Sequence, residues 1–184
     1  MRRGNVGLIE IPGRPEGAPD IWTRAHDLWL TCRREAMRDQ GEPDDVTSDG
    51  LINQDRIAVM IVGEDVAGLY SWRTFDAAVA ANRNTSALRC FPDAVLDELA
   101  ESHARVTVVG NLCIAPKYRR ANGSRARIAD SLAGTLRGLA VRLGPLVMRS
   151  RDNRSVDALI HRHGGRRIAN AQAFGSASGV FVFD

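Results

Sequence analysis

Two hydrophobic periods alternate along this chain, and their order constrains its fold more than any single motif does. From Asp20, a candidate N-cap, the apolar residues Ile21, Trp22, Ala25, Leu28, Trp29, Cys32 and Ala36 recur at helical spacing, which predicts an amphipathic first helix ended by the acidic stretch GEPDD. RIAVMIV, the turn GED and VAGLYSW then predict an antiparallel hairpin over Arg56–Trp72, and their unbroken apolar runs suit central strands. Residues 73–104 read as a helical insertion: an Ala-rich polar piece, then FPDAVLDELAESH, with Pro92 in a first turn and Val95, Leu96 and Leu99 marking a face. RVTVVGNLCIAP, over Arg105–Pro116, predicts a long strand in which Gly110 points to a bulge or a close backbone approach. From Ser124 a helix follows, with Ile128, Leu132, Leu136, Leu139, Ala140 and Leu143 on its buried side and a stop at Gly144-Pro145. LVMRS is a short strand. SVDALIHRHGG is a last helix with Val156, Leu159, Ile160 and His163 on one side and Gly164 as its C-cap, and RRIANAQAF and GVFVFD are two final strands. Such an order predicts a mixed α/β fold.

Composition narrows the class further. A chain of 184 residues, 44% of them hydrophobic, can bury one sizeable core, so residues 20–184 read as a single domain behind an irregular leader, 1–19, rich in Gly, Pro and Arg. No run approaches the roughly 18 apolar residues that span a bilayer, and the N-terminus lacks a signal-peptide core, which predicts a soluble cytoplasmic protein with no membrane partner. Cys32, Cys90 and Cys113 are odd in number and widely spaced, fitting neither a disulfide framework nor a zinc pattern, and no metal is expected. Lys117 is the only lysine, so the basic charge is almost all arginine, the residue that favours forked contacts to phosphate and carboxylate. With 5% aromatic residues and no basic face interleaved with them, nucleic acid is not an expected partner.

The stretch NLCIAPKYRRANGSRARIAD, Asn111 to Asp130, combines a strand, a proline, an arginine burst, a glycine and a helix start. Unpaired N–H groups and the positive end of the helix dipole attract anions at such a place, and Arg119, Arg120 and Arg125 flank it. From these residues alone, Asn122-Gly123 could equally form a plain turn beside solvated arginines. The wider pattern resembles the acyl-CoA-binding segment of the GCN5-related N-acetyltransferase superfamily, L-x-V-x-P-x-Y-R followed by [RQ]-x-x-G-x-[GA]. Leu112, Ile114, Pro116, Tyr118 and Arg119 match its strand end, and Arg120 and Gly123 match its loop. Downstream, Asn153 and Gly164 match a second signature, N-x-x-A-x-x-x-Y-x-x-x-G-F.

The resemblance implies a mostly antiparallel sheet with a splayed central strand and flanking helices. It also implies a donor, acyl-CoA or acyl-phosphopantetheine, held by backbone at Cys113 and Ile114, by Arg119, Arg120, Asn122, Gly123, Ser124, Arg125 and Ala126 at the phosphates, and by Asn153 at the pantetheine arm. Two positions depart from the pattern: Arg125 stands where Gly or Ala is usual, and Ile160 stands where the family often keeps a tyrosine that protonates the leaving thiolate. Glu101 and His103, just before the central strand, are candidate bases, and His161 is a candidate acid beside the vacant tyrosine position. Cys113 lies in the strand that would line the acyl site, but no base stands near it in sequence and a buried cysteine is ordinarily inert. The insertion at 73–104 resembles, in layout, relatives that take long acyl chains from acyl carrier protein, such as N-acyl amino acid synthases and acyl-homoserine lactone synthases. The expected activity is therefore acyl transfer to an amine acceptor, with acyl carrier protein and a second copy of the chain as expected partners. A non-catalytic domain that binds a thioester or a partner is the alternative.

Overall fold

The computed structural model describes residues 6–17, 19–41, 43, 45–119, 124–151, 153–173 and 176–184. Its elements run β1 (Val6–Pro12), α1 (Pro19–Arg38), α2 (Asp49–Ile52), β2 (Arg56–Val62), β3 (Asp65–Phe75), α3 (Ala80–Arg83), α4 (Asp93–Ser102), β4 (Val106–Ile114), α5 (Pro116–Arg119), α6 (Ser124–Leu143), β5 (Leu146–Arg151), α7 (Arg154–Arg162), β6 (Arg166–Ala173) and β7 (Ser176–Phe183). The strands are ordered β1-β2-β3-β4-β5-β7-β6 in one seven-stranded sheet. Pairing is antiparallel for β1 with β2, β2 with β3, β5 with β7 and β6 with β7, and parallel for β4 with β5. The mixed α/β arrangement expected from the periodicities and the mostly antiparallel sheet implied by the resemblance are the ones observed. No helix among the described residues is long and apolar enough to cross a membrane.

The chain divides into two compact units, Met1–Trp72 with Asn111–Leu132, and Arg73–Gly110 with Ala133–Asp184. In the first, the expected irregular leader is corrected: Val6–Pro12 is a strand, paired from Val6↔Val62 to Pro12↔Arg56. Of its side chains only Ile11 is buried, so the ladder with β2 holds it and the Gly- and Pro-rich flanks hid a short β-forming run. α1 lays Ala25, Leu28 and Trp29 against Ile57, Val59 and Leu69 of the hairpin. The hairpin turns at Gly63, whose φ of 63° is the left-handed value glycine adopts without a Cβ clash. β3 runs three residues further than the expected hairpin, to Phe75.

The close backbone approach expected at Gly110 is not there: a Cβ built on it would meet nothing within 4 Å. The registers Met60↔Gly68 and Ile61↔Val66 instead leave Ala67 of β3 unmatched, a bulge, and its carbonyl accepts the Ala115 N–H at 2.9 Å. At the next residue, Gly68, a Cβ would lie 2.9 Å from the Cys113 carbonyl oxygen and 2.9 Å from Leu132 Cδ1. Here the backbone of β3 approaches closely enough that only glycine fits without displacement.

In the second unit α4 turns Val95, Leu96 and Leu99 onto a core with Phe75, Val106, Val147 and Val180. The stretch read as a helical insertion is thus strand at Arg73–Phe75, the single turn α3, and then α4. Asn153 caps α7, its Oδ1 accepting from the N–H groups of Ser155 at 3.0 Å and Val156 at 3.4 Å. The C-cap of α7 is His163, one residue before the expected Gly164, which follows with φ 92°.

Candidate functional site

The motif that drew attention in the sequence begins where β4 ends. Pro116–Arg119 forms the one-turn helix α5, which apolar periodicity is too short to announce. Each of the last three residues of that turn is tied down. Lys117 Nζ pairs with Asp65 Oδ2, and Tyr118 Oη donates to the same oxygen at 3.2 Å. Lys117, with Tyr118 behind it, holds the Asp65 carboxyl below its usual range. Arg119 spreads its fork over three acceptors: Nε donates to the Ile114 carbonyl at 2.6 Å, Nη1 to Glu35 Oε2 at 2.5 Å and Nη2 to Cys32 Sγ at 2.8 Å. These contacts join α1 to the end of β4 and fix the turn that leads into α6.

Cys113 faces the same cluster. The neighbouring Cys32 thiol, together with burial, pushes the Cys113 thiol well above the usual range. Cys113 in turn, helped by the Arg119 guanidinium and opposed by burial, lowers Cys32 to about 7. Cys32 Sγ also lies 3.7 Å from the Ile114 carbonyl oxygen. Cys113 is therefore protonated at neutral pH. Cys32, which the sequence presents only as one apolar position of a helix, is the sulfur with thiolate character.

Asn111 organises β4 from within. Its φ of 57° is left-handed, a conformation asparagine tolerates better than other residues with a Cβ. Its Oδ1 accepts from Trp29 Nε1 at 3.0 Å, and its Nδ2 donates to the Gly50 carbonyl at 3.0 Å and to Ser71 Oγ at 2.8 Å. The parallel ladder of β4 with β5 covers Thr107↔Leu146 to Val109↔Met148, while β4 itself continues to Ile114. A left-handed residue turns the backbone N–H and C=O out of the extended pattern, so a regular ladder does not run through it.

The candidate acid and bases sit differently. Glu101 and His103 are both exposed at the C-terminal end of α4, where the His103 N–H donates to the Leu99 carbonyl at 2.9 Å. His161 Nδ1 hydrogen-bonds the Gly165 carbonyl at 2.9 Å, and its ring meets Phe181 edge-on at 5.8 Å, so it holds the end of α7. Ile160 is 2% exposed, and a Cβ on Gly165 would lie 2.4 Å from its Cγ2. Its surroundings are closely packed core. Ile160→Tyr is accordingly expected to overpack and to lower stability by about 1–3 kcal/mol, read as a fall in urea midpoint; an unchanged midpoint would show room for the ring. Arg120, Asn122 and Gly123 lie outside the described residues, as do the side chains of Ser124, Arg125 and Ala126, whose backbone forms the first turn of α6. The described residues contain no group of three or more His, Cys, Asp or Glu placed to hold a metal ion.

Glu35, Cys32, Gly68 and the Asn111 side chain escaped the sequence reading. Cys32 and Arg119 are 87 residues apart, Glu35 and Arg119 84, and Trp29 and Asn111 82, so no local pattern links them.

The chain has a bulged hairpin, a kinked β4 that pairs in parallel with β5 over three residue pairs, a proline-led turn after β4 and the long helix α6. Comparison with solved structures shows the fold of the GCN5-related N-acetyltransferases. FeeM, an N-acyl amino acid synthase from uncultured soil microbes, matches with a TM-score of 0.68 at 13% identity, over 98% of this chain and 91% of FeeM. The AHL synthase LasI matches with a TM-score of 0.59 at 13% identity, over 97% and 89%. NAA60 of Arabidopsis thaliana, in complex with acetyl-CoA, matches with a TM-score of 0.56 at 12% identity, over 97% and 98%. Similarity at these identities establishes the fold. No family model and no curated protein matches the chain.

Proposed function

We propose that this protein is an N-acyltransferase that moves an acyl group from a thioester, acyl-CoA or acyl-phosphopantetheine, to an amine. The observation that carries the reading is β4: a strand kinked at Asn111 and running past its parallel ladder into the Pro116 turn, in a fold shared with the acetyl-CoA complex of NAA60. Backbone N–H groups at Cys113 and Ile114 are the proposed donors to the thioester carbonyl, where they would stabilise the oxyanion of the tetrahedral intermediate. The neutral amine attacks that carbonyl, the C–S bond breaks, and the ammonium proton passes through water to the departing thiolate. Amide and free thiol are the products. Ile160 cannot supply that proton, so the general-acid contribution, roughly 10²- to 10⁴-fold, is missing and turnover is slow but present. The similarity of fold to FeeM, an N-acyl amino acid synthase, and to the AHL synthase LasI supports acyl transfer; a carrier-bound acyl chain delivered by acyl carrier protein rests on the resemblance in layout of residues 73–104.

The test is thiol release. Short- and long-chain acyl-CoA and acyl carrier protein donors are each incubated with a panel of amines, and amine-dependent release of free thiol is the expected result. Gly123→Val should weaken coenzyme A binding at least tenfold, about 1.4 kcal/mol, because a branched Cβ blocks close approach of a phosphate to the backbone; unchanged affinity by calorimetry in the folded variant removes that loop from the donor site. A second reading, a thioester-binding domain without turnover, is favoured by the burial of Ile160 in core. Saturable donor binding with no thiol release for any amine would establish it instead.

A further inference from the structure

We propose that Gly68 of β3 is a positioning residue for acyl transfer: by seating the Cys113 carbonyl against β3, it turns the Ile114 N–H toward the thioester. That role rests on the acyltransferase reading and adds to it the residue that aims the oxyanion donor. Two contacts within the first unit fix the direction. The Cys113 carbonyl oxygen lies so near Gly68 that a Cβ there would stand 2.9 Å from it, closer than carbon and oxygen pack. Two residues further on, the Ala115 N–H donates to the Ala67 carbonyl at 2.9 Å, so it too points at β3. No peptide bond among the described residues is cis, and in a trans peptide the N–H and C=O point in opposite directions. The Ile114 N–H, opposite the Cys113 carbonyl, and the Ile114 carbonyl, opposite the Ala115 N–H, therefore both leave β4 on the edge away from β3.

The Ile114 carbonyl on that edge accepts from Arg119 Nε at 2.6 Å, which anchors the peptide that follows. The parallel ladder with β5 ends at Val109↔Met148, before the kink at Asn111, so it does not extend to Ile114. A thioester carbonyl brought to this edge receives the Ile114 N–H, and the bond strengthens as the oxygen gains charge in the tetrahedral intermediate. Losing one such donor costs about 10²- to 10³-fold in kcat. A side chain at position 68 acts on that donor without touching substrate. Its Cβ would also stand 2.9 Å from Leu132 Cδ1 and 3.1 Å from Ile128 Cγ2. Those atoms belong to side chains of α6, which repack. The Cys113 oxygen is backbone, and it moves only if the Cys113–Ile114 peptide rotates and carries the N–H off its line.

Two variants of the whole chain separate packing from positioning: Gly68→Ala, and Gly68→Ala with Leu132→Val, which removes the Cδ1 that the new methyl meets. Thiol release is measured with acetyl-CoA and with a long-chain acyl-CoA against one amine panel. In Gly68→Ala the urea midpoint should fall, and kcat should drop roughly tenfold to a hundredfold with KM for the donor nearly unchanged, as for a bond made in the transition state. In the double variant the midpoint should return to that of Leu132→Val alone while kcat stays low. Recovery of kcat together with the midpoint would reduce the effect to overpacking and overturn the proposal. Wild-type kcat in folded Gly68→Ala would overturn it too. Amide hydrogen exchange in free wild-type protein, followed by NMR, reads the geometry without variant, ligand or activity. The Ala115 amide should be protected and the Ile114 amide should exchange at least about tenfold faster; equal protection would place the Ile114 N–H in a ladder with β3 and overturn the proposal. No thiol release by wild type, with that exchange pattern intact, would instead overturn the acyltransferase reading and leave Gly68 a packing residue.

Discussion

Asn111→Leu is expected to be the most damaging single change in the first unit, lowering its stability by about 2–5 kcal/mol. Two separate costs combine. A left-handed backbone with a larger Cβ substituent costs roughly 1–2 kcal/mol at φ 57°. Leucine also leaves the Trp29 indole N–H and the fully buried Ser71 hydroxyl without their Asn111 partner, at about 1–3 kcal/mol for a buried group left unsatisfied, whereas the exposed Gly50 carbonyl keeps its bond from Gln54 Nε2. Asn111→Gly separates the costs, because glycine accepts the backbone angle but makes none of the side-chain bonds. Its expected loss lies between wild type and leucine. Urea unfolding followed by tryptophan fluorescence measures the order, and a leucine variant indistinguishable from wild type would mean that β4 does not depend on this kink.

Arg119→Leu should rank second, at about 2–4 kcal/mol, with coenzyme A affinity reduced at least tenfold. Three donations end at once, to the Ile114 carbonyl, Glu35 and Cys32. The side chains of Arg119 and Glu35 are each 31% exposed, so the charged pair is worth less than a fully desolvated one and the estimate is kept below the sum of three charge-assisted bonds. Lysine is not a substitute, since it lacks the planar fork that spans three acceptors. The variant has a second signature: without the guanidinium, the pH midpoint of Cys32 alkylation should move upward from about 7. Wild-type stability together with an unmoved alkylation midpoint would refute the role of Arg119 as the tie between α1 and β4.

The elements that were legible in the sequence share one property: each has a hydrophobic period long enough to count. α1, the β2–β3 hairpin, α4, β4, α6 and β5 all lie where their apolar spacing puts them, within a few residues at the ends. β1 and α5 were not legible. The first is a seven-residue strand with one buried side chain, and the second a single turn, so neither carries a periodic apolar face. Gly110 drew attention to a stretch of β4 that is irregular at the next residue, Asn111, with φ 57°, but the close approach is on β3 at Gly68, where a glycine inside an apolar run gave no separate signal.

Local sequence determined the order of helices and strands, the caps at Asn153 and Gly144, and the strand, proline, arginine and helix signature that points to a thioester donor, because these depend on residues within one or two turns of each other. The chemistry of individual side chains was decided elsewhere. Whether position 160 is a core position or a place for an acid, whether Arg119 lies in solvent or grips Glu35, and which of three cysteines is the thiolate all depend on neighbours supplied by distant segments. A pKa, a hydrogen bond and the space for a ring are set by what lies within a few ångströms, and across 80 or more residues of chain only the tertiary fold specifies that.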